Sequence, residues 1–192
     1  MTQLALGGGF SNPPEQAARA FRAVLESVSR PGTIHSIGDA QPPAPLSVAA
    51  GTVLLTLADG TTPVHLAGDA DCQPVRDWIT FHIGAPLVGA ERAVFAVGRW
   101  PDLLPVDRFH PGDPDYPDRA ATLIVLMDDL TPSGATLTGP GIRTTAQLSL
   151  PEIAAFQDNA AQFPLGLDFI FTAGDRVAAL PRSTKVEGAT CM

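Results

Sequence analysis

Four histidines, two cysteines, one lysine and eleven arginines are the side chains with which this chain could do chemistry. His35, His65, His82 and His110 show no spacing such as His-x-x-x-His and no carboxylate at a telling offset. They therefore predict neither a zinc site nor a general-base pair. His82 falls on the apolar face of a helix, where a hydrogen-bonded core or interface histidine is the simpler reading. Cys72 and Cys191 lie far apart without a Cys-x-x-Cys pair, and read as free thiols of a reducing compartment. Gly7-Gly8-Gly9 lacks both the preceding strand and the Gly-Lys-Ser/Thr ending of a phosphate loop, and reads as a flexible entry to the first helix. Asp113, Asp115 and Asp118 are interleaved with Pro114 and Pro117, with no glutamate at calcium-loop spacing, and read as solvated turn residues. No Gly-x-Ser-x-Gly elbow presents a serine nucleophile. The sequence thus offers no catalytic residue and no metal ligand set.

The basic residues remain. A net charge of −8 repels nucleic acid and gives no long-range attraction to phosphate-bearing substrates. Any anion site must be local and built mainly from arginine, whose planar fork suits phosphate and carboxylate. Arg30, Arg143, Arg182 and Lys185 each follow a predicted helix or strand end near Gly or Pro. They are the candidate contacts to an anion or to a partner; arginine serves both uses.

The elements that would position them follow from periodicity. Asn12, Pro13 and Glu15 open a helix whose Ala17, Phe21, Val24, Leu25 and Val28 share one face, and Arg30-Pro31-Gly32 stops it. Ile34 to Ile37 suits a short extended piece. A helix over Leu46–Leu57, a strand over Val64–Leu66 and a helix from Pro74 follow, the last turning Val75, Trp78, Ile79 and His82 to one side. Ala93–Val97 and Leu123–Met127 are unalternating apolar runs, as in strands covered on both faces. Two antiparallel strands flank Thr138-Gly139-Pro140-Gly141, and Pro151-Glu152 opens a helix carrying Ile153 and Phe156 inward. Near the end, Leu167–Phe171 and Val177–Leu180 read as two buried strands joined at Gly174-Asp175, after which a Pro and a basic, hydroxyl-rich tail leave the sheet. The fold class is α/β: one domain over residues 1–192, a mixed three-layer sheet with helices on both faces. The apolar runs are too short to span a bilayer and Met1-Thr2-Gln3-Leu4 has no basic leader, so the expected location is the cytoplasm.

One stretch fits a compact domain poorly. Trp100–Arg119 holds five prolines and five aspartates, with at most one helical turn around Leu103 and Leu104. Its residues look wrong for a core, yet Trp100, Phe109 and Tyr116 are more aromatic anchors than a plain connection requires. They form a candidate assembly loop, expected to be mobile or loosely packed until partners bind.

Five stretches in order resemble one known family. They are Phe21-Arg22 to Ser29-Arg30-Pro31-Gly32; Val53–Asp59 with Thr62-Pro63-Val64; Phe81-His82 with Ala85-Pro86-Leu87-Val88; Leu137-Thr138-Gly139 with Gly141-Ile142; and Phe163–Thr172 through Gly174-Asp175 to Leu180–Glu187. Their order and spacing are similar to the PhnH family, a subunit of the bacterial carbon–phosphorus (C–P) lyase system. The resemblance implies a fold like the large domain of pyridoxal-phosphate-dependent transferases without that cofactor. It also implies a homodimer and assembly with the PhnG, PhnI and PhnJ subunits. In that complex the adenine of a nucleoside triphosphate is replaced by a phosphonate, giving a ribose 1-phosphonate 5-triphosphate. The expected role is therefore a structural subunit without cofactor, nucleic acid or membrane. The alternative is a self-sufficient enzyme or binding protein for a phosphorylated sugar, with the arginines as an anion clamp in a deep pocket.

Overall fold

A computed structural model describes residues 7–188. Cys191 and the Met1–Leu4 start, read above as a free thiol and as lacking a leader, lie outside the described residues. The chain builds strands β1 (His35–Ser36), β2 (Val64–Leu66), β3 (Phe95–Arg99), β4 (Thr122–Leu126), β5 (Ala135–Thr138), β6 (Ala146–Leu148), β7 (Asp168–Ala173), β8 (Arg176–Leu180) and β9 (Lys185–Glu187). The helices are α1 (Pro13–Ser29), α2 (Val48–Leu57), α3 (Gln73–His82), the single turn α4 (Trp100–Leu103) and α5 (Ile153–Ala160).

Six strands form a mixed sheet in the order β1-β8-β7-β4-β3-β2. β2, β3, β4 and β7 run parallel; β8 adds antiparallel to β7, and β1 antiparallel to β8. The unalternating apolar runs have their cause in this arrangement. Ile124 and Leu126 of β4 pack into one core and Leu123 and Val125 into the other, so both faces of the strand must be apolar. α1, α2 and α3 cover the first face. The second face is covered by α4, α5 and a three-stranded sheet ordered β6-β5-β9. The expected mixed α/β sheet with helices on both faces is present, and one of its outer layers is part sheet. Among the described residues no helix is long and apolar enough to cross a membrane.

Four local expectations are corrected. First, α1 buries only part of the face predicted for it, Val24. Its buried positions are Gln16, Ala20, Val24 and Ser27, whereas Phe21, Leu25 and Val28 are 52%, 53% and 40% exposed. The smaller side chains Ala20 and Ser27 allow α1 to approach the sheet, and the Ser27 hydroxyl is satisfied by donating to the Ala23 carbonyl at 2.8 Å. Nor does the Asn12 side chain cap this helix; Gln16 Oε1 accepts the Asn12 backbone N–H at 2.7 Å instead. Second, the Gly7–Gly9 run is a packed strap. Gly8 has φ +85°, and a Cβ there would lie 2.0 Å from the Gln41 carbonyl oxygen, so only glycine permits the approach. Third, the basic tail re-enters the fold as β9, paired antiparallel with β5. Fourth, the Trp100–Arg119 stretch contributes to the core, with Trp100, Leu103 and Phe109 all buried.

Candidate functional site

The turn between β5 and β6 gathers the segments that carry the predicted basic residues. Gly141 (φ +81°) lies so close to the end of α1 that a Cβ would approach the Ser29 carbonyl oxygen to 1.9 Å, which sets this turn beside Arg30. Arg143 follows two residues later and is exposed. Lys185, at the start of β9, is paired across the ladder with Thr138, the last residue of β5. Arg30, Arg143 and Lys185 therefore flank one turn, on an open surface. Arg30 forms an exposed ion pair with Glu26 at 3.2 Å.

Arg182 has a different job. Its side chain is only 13% exposed and pairs with Asp168 at 2.5 Å. Its Nε donates to the same carboxylate at 3.2 Å, and its backbone N–H does so at 2.8 Å. A further guanidinium N–H donates to the Pro117 carbonyl. This arginine ties the start of β7, the end of β8 and the turn at Pro117 together, and its fork is already engaged.

Of the three aromatic anchors, Trp100 and Phe109 are buried and Tyr116 is 51% exposed. Trp100 Nε1–H donates to Glu152 at 2.9 Å, and its ring lies 4.8 Å from that of Phe156. Tyr116 carries the guanidinium of Arg119 over its ring at 4.0 Å.

The histidines have structural partners. His82 bonds the Gly7 carbonyl at 2.9 Å and packs against Trp78, fastening the glycine strap. His35 meets the Thr33 hydroxyl at 2.9 Å. The Gly112 N–H donates to His110 Nδ1 at 3.0 Å. His65 is the most informative. Its Nδ1 lies 3.0 Å from the Val88 carbonyl, which can only accept, so Nδ1 carries a proton. His65 lines a cavity of about 230 Å³ with Asp71, Arg76 and Arg92. Sequence reasoning missed this group, because its members come from β2, the approach to α3, α3 itself and the turn before β3. Arg76 is forked onto Asp71 and Arg92 lies 3.5 Å from Glu91, so both cations face carboxylates. Among the described residues no three His, Cys, Asp or Glu side chains gather to hold a metal ion.

A second, apolar cavity of about 260 Å³ opens between α1 and the N-terminal edge of the parallel strands. Val24, Val28, Leu57, Phe95, Ala179 and Pro181 line it. No sequence signal announced it, since its lining comes from α1, the end of α2 and several separate strand ends, Thr122 and Asp168 among them.

Comparison with known proteins agrees with this fold-wide rather than site-local picture. The family described as bacterial phosphonate metabolism protein (PhnH) matches residues 8–187. The chain is 38% identical over 192 residues to the alpha-D-ribose 1-methylphosphonate 5-triphosphate synthase subunit PhnH of Rhizobium meliloti, covering 94% of each chain. It is 28% identical over 177 residues to a putative C-P lyase subunit protein, HtxG, of Stutzerimonas stutzeri, covering 87% of this chain and 84% of that one.

Proposed function

The chain belongs to the PhnH family of bacterial phosphonate metabolism proteins, and from that premise we propose that it is a structural subunit of a C–P lyase assembly. The observation that carries the proposal is the match along nearly the whole described body to a relative named as a synthase subunit. The arrangement of the basic residues supports it. Arg30, Arg143 and Lys185 flank a surface turn and Arg182 is locked into the fold, so the four do not converge as a clamp in a deep pocket. That counts against the phosphorylated-sugar enzyme or binding protein.

In this reading the chain acts in the cytoplasm as a homodimer that joins the PhnG, PhnI and PhnJ subunits. The synthase chemistry, replacement of a purine base by a phosphonate, is then carried by other chains. The resemblance to the large domain of pyridoxal-phosphate-dependent transferases is one of fold without cofactor. A Schiff base needs a lysine in a desolvated pocket, and Lys185 is exposed on β9. Affinity purification of the chain from cells growing on a phosphonate tests the proposal. The other lyase subunits should co-purify in fixed ratio; recovery of the chain alone under those conditions would overturn it.

A further inference from the structure

α1 carries a wider apolar surface than its own fold covers. Ala20 and Val24 face the sheet, but Phe21, Leu25 and Val28 stand on successive turns with 52%, 53% and 40% of their surface exposed. Such a stripe at helical spacing is what a helix presents to a neighbour. Val28 also lines the apolar cavity beside α1, so stripe and cavity are continuous. At about 260 Å³ the cavity falls below the roughly 300–1,000 Å³ of small-molecule pockets and suits one or two inserted side chains.

The charges around it identify the occupant's chemistry. Most of the basic residues pair with carboxylates, and Arg108 and Arg119 lie over aromatic rings. Among the described residues Arg22, Arg143 and Lys185 have neither kind of partner. Arg22 lies on α1 next to Phe21, and the other two flank the turn that touches Ser29 at the end of the same helix. In a chain of net charge −8, an unpaired cation on α1 and two more flanking the turn at its C-terminal end are complementary to carboxylates. A second copy of the chain docked by this face would bring the same cations against one another.

Building on the reading of the chain as a subunit, we propose that the exposed face of α1 and its cavity dock an amphipathic, acidic segment of another subunit of the assembly. An apolar anchor of that segment enters the cavity, and its carboxylates meet Arg22, Arg143 and Lys185. Binding of the purified chain to the purified remainder of the assembly tests this. Phe21→Asp with Leu25→Asp should weaken binding at least about tenfold, as loss of a central anchor does. Arg22→Glu with Lys185→Glu should slow association and abolish its decline with added salt. Phe21→Ala with Leu25→Ala, which changes no charge, guards against misfolding and should also weaken binding with its melting temperature unchanged. If the wild type binds and all three variants bind equally well, the inference is wrong while the subunit reading stands. If the α1 variants instead halve the particle mass of the free protein, a second copy occupies the face and the inference is again wrong. A wild type that binds nothing sinks both.

Discussion

At Asp71 the Arg76 guanidinium donates from Nε and from a terminal nitrogen, the latter at 2.8 Å. These hydrogen bonds, with the attraction of the same cation and a smaller one from His65, hold the Asp71 carboxyl below the ordinary aspartate range. A depressed carboxylate contributes stability above its unfolded pKa and loses that contribution as pH falls through the folded value. The pair is well exposed, so solvent screening keeps the contribution small. The sharper readout is the titration itself. The Asp71 carboxyl carbon, followed by NMR, should titrate at lower pH than an ordinary aspartate, and Arg76→Gln should return it toward the ordinary range. An unchanged midpoint in the variant would assign the shift to something other than Arg76. At this scale a sequence shows residue type and chain context but not partners. Arg182 and Arg143 look alike in sequence, both basic and both near Gly or Pro. Only the fold shows Asp168 and Pro117 closing on the first and leaving the second open.

Elements were more legible than the faces they bury. Periodicity and punctuation located α1, α3 and the two unalternating strands, because helix and strand spacing are local properties. They located the buried face of α1 only in part, at Val24, for a physical reason. The helix carries two overlapping apolar stripes, and a side chain meant for an interface is as apolar as one meant for the core. The Trp100–Arg119 stretch shows the converse. Its prolines and aspartates read as surface, and many are, but Trp100, Leu103 and Phe109 point between them into the core. Trp100→Ala and Phe109→Ala should each cost about 3–5 kcal/mol in urea unfolding. Tyr116→Ala, which loses an exposed ring under Arg119, should cost no more than about 1 kcal/mol. Equal stability across the three would show that the segment is not part of the core. Tyr116 is thus the one anchor of the three whose replacement can report on assembly without reporting on folding.

For the whole molecule, the surface proposed for a partner on α1 limits where the proposed homodimer can form. If α1 is kept for another subunit, the two copies must meet through other apolar side chains. Phe81, Val94, Leu104 and Phe163 remain exposed away from the α1 stripe, and single exposed apolar residues of this kind are common on any surface. If the proposed homodimer forms through these side chains, light scattering of the pure chain at micromolar concentration should give twice its 20.0 kDa mass. The variant Phe21→Ala with Leu25→Ala should give the same doubled mass. A wild-type monomer would remove the dimer and leave the α1 surface untouched, since Phe21, Leu25 and Val28 are exposed on a single chain. A dimeric wild type beside a monomeric variant would move the two-fold contact onto α1, where Arg22 would have to find a carboxylate such as Glu15 or Glu26 on the facing copy.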